Sequence, residues 1–264
     1  MESLNEMAKQ DFPQEWPGLV NVITQYLSNP SEKAVHTGLI ALKSLVKKYR
    51  LTNEGPNKEQ FFEVFAQVEG YLAGLVGHLM KSGEDLAFHM LYLVTKIFYH
   101  ANLMSLCPCL RQKETLAVWL NFFVEILEQK VPPELSSPVE DEQEVESRRK
   151  NFVWKLKDVV SAISYQLILK YGNTDVVALN DKALARHIQH TFAPTLAQAN
   201  LRTLFMRKEL FVPDKVLANS VNFLITSLKI KEVEQELKPL FKNILFETIV
   251  PILIANETYL ALFE

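Results

Sequence analysis

Few side chains in this sequence are spaced for chemistry. Cys107-Pro108-Cys109 sets two thiols one residue apart. With no second cysteine pair and no nearby histidine at ligand spacing, they do not make a structural zinc site. His187 and His190 stand three apart, where they could share a helix face, but they lack a third ligand. There is no glycine-rich phosphate loop, GxSxG elbow, HExxH pair or DDxxD cluster. The expectation is therefore a protein that is not an enzyme and holds neither cofactor nor metal. What remains is charge: Glu140, Asp141, Glu142, Glu144 and Glu146 fall close together, with Lys155 and Lys157 shortly after. Acids so clustered can attract a basic partner, or form no more than a solvated surface.

The elements that position these groups are helical. The chain has 264 residues, of which 48% are hydrophobic and 22% charged, and a net charge of −3. That length buries a core without staples, and the mildly acidic balance excludes a dedicated nucleic-acid binder. Two cysteines fit a reducing compartment. The opening MESLNEMAKQ has no apolar signal-peptide core. The late apolar run from Ile244 to Ala255 is too short to cross a bilayer and carries Glu247. A soluble, intracellular protein without membrane insertion is expected.

Apolar residues follow a 3.6-residue period at Phe61, Phe65, Val68, Leu72, Leu75, Val76 and Leu79. The same period runs through Phe152, Leu156, Val159, Ile163, Leu167 and Tyr171, and through Val233, Leu237, Leu240 and Ile244. Alternation of period two is nowhere sustained, so the fold class is all-α. Ser31 reads as a helix cap, Ser82-Gly83-Glu84-Asp85 as a tight helix–helix turn, and Gly172-Asn173 as a left-handed helix end. Pro213-Asp214 opens another helix, and Pro194, Pro239 and Pro251 should each bend theirs. About eight or nine helices of roughly 15–26 residues result, joined by short loops that make neighbours antiparallel.

An apolar doublet followed by a large apolar residue recurs at Leu45-Val46/Tyr49, Leu93-Val94/Ile97, Leu167-Ile168/Tyr171 and Leu224-Ile225/Leu228. Pattern alone leaves two architectures open, a stack of helix pairs or a single bundle. Residues 131–150, with three prolines and the acid cluster, read as a solvated, mobile insert.

The stretch Asp11-Phe12-Pro13-Gln14-Glu15-Trp16-Pro17-Gly18-Leu19 suits a helix junction: Asp11 caps, Pro13 and Pro17 fix φ, and Trp16 anchors. This D-F-P-x-x-W-P-x-L pattern resembles the early-repeat signature of the importin-β (karyopherin) family. The acidic insert, then Trp154-Lys155-x-Lys157, then Leu167-x-x-x-Tyr171-Gly172, is similar in order to its importin seven and importin eight branch. Leu237-Lys238-Pro239, with the helix through Pro251, resembles that branch too. Family receptors are several times longer, so the chain is expected to cover roughly repeats two to six of such a protein.

The resemblance implies a HEAT-repeat α-solenoid, here one array over residues 1–264 with about four to five helix pairs and an acidic insert at 131–150. It also implies a nucleocytoplasmic transport receptor shuttling between cytoplasm and nucleus through the nuclear pore. Its partners would be the small GTPase Ran in its GTP form, basic protein cargo such as ribosomal proteins or histones, and phenylalanine-glycine nucleoporins. On that reading Glu140, Asp141, Glu142, Glu144 and Glu146 meet basic cargo or sense Ran, and Lys155 and Lys157 lie near an acidic partner surface. Asp11, Pro13, Trp16 and Pro17 are structural. A non-transport HEAT-repeat scaffold is the alternative.

Overall fold

The computed structural model describes residues 18–50, 56–173, 177–178 and 181–250. The described residues are helical, without a strand, and the architecture is all-α, of packed helix pairs of the HEAT-repeat kind. They divide into two compact units, up to Phe122 and from Phe123 onward.

In the first unit, α1 (Leu19–Leu27) and α2 (Glu32–Tyr49) form a helical hairpin, and α2 also packs on α4 (Asp85–Ala101). Between α1 and α2, the Asn29 side-chain oxygen accepts from the Ser31 backbone N–H at 2.9 Å. Ser31 stands at the extended N-cap position, but its own hydroxyl makes no cap bond. The turn into α4 follows α3 (Pro56–Leu79) and contains Gly83 at φ 68°, where only glycine avoids a steric cost. The predicted stripe of α3 is its buried face: Phe61, Phe65, Val68, Leu72, Val76 and Leu79 are all enclosed. Trp119, on α5 (Lys113–Glu128), stacks 4.8 Å from Phe98 and donates its indole N–H to Glu69 at 2.8 Å.

In the second unit, α6 (Pro133–Ser136) and α7 (Glu142–Lys150) lead into α8 (Phe152–Tyr171). Helix α8 packs along α11 (Asp214–Ser227), which also meets α10 (Ala193–Met206). Two of the prolines sit where the helix changes its turn. A widened π turn, Ile188–Phe192, links α9 (Lys182–His187) to α10, so Pro194 falls in a first turn where its missing N–H costs no bond. Pro239 sits in a 3₁₀ turn after α12 (Lys231–Leu237). Pro251 lies outside the described residues.

Two expectations are corrected. Gly172 is not left-handed: its φ is −73°. It is needed because a Cβ there would lie 2.3 Å from the Ile168 carbonyl oxygen, which accepts the Gly172 N–H at 2.7 Å. The fourth apolar triplet is also unlike the others. Leu45, Val46, Leu93, Val94, Leu167 and Ile168 are buried, whereas Ile225 is 59% exposed.

Candidate functional site

The acidic stretch is folded, not the mobile loop its composition suggests. Asp141 begins α7 in extended conformation, its carboxylate accepting from the backbone N–H groups of Gln143 at 2.7 Å and Glu144 at 3.2 Å. Acids fill the first turn, and Arg148, Arg149 and Lys150 fill the last, so both ends suit the helix dipole. Along the helix Glu144 pairs with Arg148 at 2.5 Å and Glu146 with Lys150 at 3.2 Å.

What holds the segment down is contributed from elsewhere in the chain. Arg148 is buried, and its guanidinium donates to the Ser137 carbonyl and to the Ser137 hydroxyl while facing the Phe211 ring at 5.8 Å. The Phe211 N–H donates to the Ser136 carbonyl at 2.7 Å. Trp154 donates its indole N–H to the Leu135 carbonyl at 3.0 Å and meets Phe211 edge-on. These anchors, about 60 to 75 positions downstream in the case of Phe211, overcome the local bias of the prolines and acids toward solvation.

All five predicted acids are exposed, but they are not equivalent. Asp141 is engaged as a cap, and Glu144 and Glu146 are paired within α7. Glu140 and Glu142 have no ion-pair partner among the described residues and carry the uncommitted charge of this face.

The two predicted lysines separate. Lys155 is half-buried with its ammonium 4.9 Å above the Phe152 ring. Lys157 is not a surface group, which corrects the expectation. Its side chain is buried and its Nζ donates to the carbonyl oxygens of Ile126 at 2.7 Å and Leu127 at 2.8 Å, the last turn of α5. Burial lowers its pKa to about 7, partly opposed by the Glu128 carboxylate.

Two surfaces escaped the sequence reading. The first is basic: Lys43, Lys47 and Arg50 recur at i, i+4 and i+7 along α2. Together with Lys96 of α4 they act on His100 through their charge. Burial, reinforced by these four cations, pushes the His100 pKa down to about 4, and its Nδ1 has no hydrogen-bond partner. The 3.6-residue spacing of the three cations was the available signal. The second is an apolar cleft of about 320 Å³ in the second unit, lined by Leu204, Val221, Leu224, Ile225, Leu228 and Phe241. Ile225 marks it, because an isoleucine in a core-like doublet is here turned outward.

His187, which ends α9, and His190, in the π turn, have separate neighbours. His190 meets Glu232 at 2.6 Å, and His187 meets the Thr191 hydroxyl at 3.2 Å and the Phe192 ring. Asp11, Pro13, Trp16 and Pro17 lie outside the described residues. No described helix is long and apolar enough to cross a membrane.

No family model matches the chain, and no solved structure does. Curated proteins do. An importin beta-like SAD2 homolog of Arabidopsis thaliana is 26% identical over 261 residues, covering 97% of this chain and 24% of the relative. Human importin-8 is 26% identical over 246 residues, 91% of this chain and 23% of the relative. A probable importin-7 homolog of Dictyostelium discoideum is 20% identical over 266 residues, 98% of this chain and 24% of the relative. The chain spans about a quarter of the length of the curated relatives it matches.

Proposed function

We propose, from the homology of this chain to importin-β family proteins on the importin-7 and importin-8 side, that it works in nucleocytoplasmic transport as a receptor. The observation that carries this reading is the extent of the match: proteins named as importins align with 91–98% of the chain. The all-helical architecture supports it, since paired helices expose broad faces rather than a reaction pocket.

Basic cargo, histones or ribosomal proteins, binds the face bearing Glu140 and Glu142, with Glu144 and Glu146 released from their intrahelical pairs on contact. Ran in its GTP form is the second partner, and phenylalanine-glycine nucleoporins the third. The apolar cleft supports the last: a space of about 320 Å³ walled by apolar side chains accepts a phenyl ring and offers water no hydrogen bonds. The receptor shuttles between cytoplasm and nucleus.

The experiment is a pulldown with Ran loaded with GTP or GDP, alongside a histone titration of wild-type chain and a Glu140→Gln/Glu142→Gln variant. Retention specific to the GTP form and at least ~5-fold weaker histone binding by the variant at low salt are expected, because loss of two charges weakens steering and contact. Indifference to the nucleotide would favour a non-transport scaffold. Unchanged histone affinity would remove the acidic face from the mechanism.

A further inference from the structure

The 3₁₀ turn Pro108–Arg111, between α4 and α5, holds the two thiols of the chain against each other. The Cys109 Sγ donates to the Cys107 Sγ across 3.3 Å, so closure to a disulfide bond of about 2.05 Å needs a movement of little more than 1 Å. Their settings differ. Cys107 is buried, its Sγ 3.8 Å from the Phe62 carbonyl oxygen, and Cys109 is half-exposed.

The charges nearby favour one sulfur as an anion. Lys58 is buried with its ammonium 4.6 Å over the Phe62 ring, and burial lowers its pKa against the opposing pull of the Cys107 sulfur. The Cys109 hydrogen bond, with Lys58 and Arg111, pulls the Cys107 thiol toward ionisation against the effect of burial. Cys109 is pushed the other way, by donating its proton to Cys107 and by burial. Ionisation is thus favoured at Cys107 over Cys109, and the half-exposed sulfur is the one a reagent can reach.

We propose that Cys107 and Cys109 are a redox-active dithiol, closed by exchange with a low-molecular-weight disulfide of the oxidised-glutathione class and reopened by the corresponding thiol. Cys107 first gives its proton to solvent, the Cys109 proton then passes to the Cys107 sulfur across their shared hydrogen bond, and the Cys109 thiolate attacks one sulfur of the external disulfide. A Cys109–S–S–R bond forms, the external S–S bond breaks, and the first leaving thiolate recovers from solvent the proton that Cys107 released, becoming RSH. Cys107 then attacks the Cys109 sulfur, expelling the second thiolate, which takes the remaining proton. The balance is two protein thiols and one external disulfide giving one protein disulfide and two external thiols. Closure removes the Cys107 thiol whose ionisation Lys58 favours, so the oxidation state of this turn is coupled to the electrostatics at the first turn of α3.

The test is to incubate the folded chain in glutathione buffers of falling thiol-to-disulfide ratio and measure intact and peptic masses after acid quench. Because the chain has only two cysteines, a monomer lighter by two hydrogens carries this bridge and no other. The expected wild-type product is that monomer, with little glutathionylated chain at any ratio. Cys107→Ser should stop at glutathione bound to Cys109, and Cys109→Ser should react at least ~10-fold more slowly than wild type, its remaining thiol being buried. A stable glutathione adduct on wild type, a bridge between two chains, or no reaction at all would overturn the proposal. So would Cys109→Ser reacting at the wild-type rate. The wild-type product alone decides the question if either serine variant misfolds.

Discussion

Lys157 Nζ lies 2.7 Å from the carbonyl oxygen of Ile126, so a lysine deep in α8 caps the end of α5. The amine satisfies carbonyls that a helix end leaves without partners. Lys157→Met keeps the stem and deletes the donor, and should cost roughly 1–3 kcal/mol at pH 9, read from urea midpoints. The pH dependence has a definite sign. The folded pKa is about 7 against an ordinary 10.5, so between these values the unfolded chain binds the extra proton. Wild-type stability should therefore rise from pH 7 toward pH 10 relative to Lys157→Met. A parallel pair of pH profiles would show that Lys157 is charged throughout.

His100 should make the first unit acid-sensitive. Its folded pKa of about 4 lies below the ordinary 6.5, so stability is lost as pH falls through that window. The variant His100→Gln removes the titration. Its urea midpoint should fall less than that of wild type between pH 7 and pH 4.5, a difference on the order of 1–3 kcal/mol. Equal losses would place the acid lability elsewhere.

Arg148 should govern the order of the acidic segment. Arg148→Ala deletes the donors to Ser137 and the cation over Phe211. Hydrogen exchange across residues 133–150 should accelerate at least ~10-fold, in line with a loss of about 1.5–3 kcal/mol for a charged hydrogen bond. Asp141→Ala should fray only the start of α7, by about 1 kcal/mol. If Arg148→Ala leaves exchange untouched, the backbone contact from Phe211 to Ser136 is sufficient to hold the segment.

The two informative glycines should respond differently. Gly172→Ala drives a methyl group against the Ile168 carbonyl oxygen and should lower stability by roughly 1–3 kcal/mol in thermal melts. Gly83→Asn should be milder than Gly83→Val, because asparagine tolerates positive φ and a β-branched residue does not. A harmless Gly172→Ala would mean that the end of α8 relaxes freely.

Where local spacing carries the information, the sequence was legible. The stripe from Phe61 to Leu79 became the buried face of α3, and Pro194 and Pro239 came to rest where the helix changes its turn. Gly172 was recognised as a helix end for the wrong reason, since the close approach of Ile168 depends on coordinates that no dipeptide pattern encodes. The candidate acids were found, yet their division into committed and uncommitted groups was not. That division depends on which side chains cap and pair once α7 has formed.

The sequence by itself settled the all-α class and the absence of familiar catalytic motifs, because helical periodicity and motif spacing are properties of neighbours along the chain. Only the tertiary structure decided that Lys157 is interior, that Ile225 is exterior and that residues 133–150 are held in place. The first and last of these turn on a partner far away in sequence, the carbonyl end of α5 and Phe211, while Ile225 faces the apolar cleft it shares with Leu204 and Phe241. Burying a charge or ordering a polar segment is favourable only where such a partner offsets the desolvation and the lost entropy.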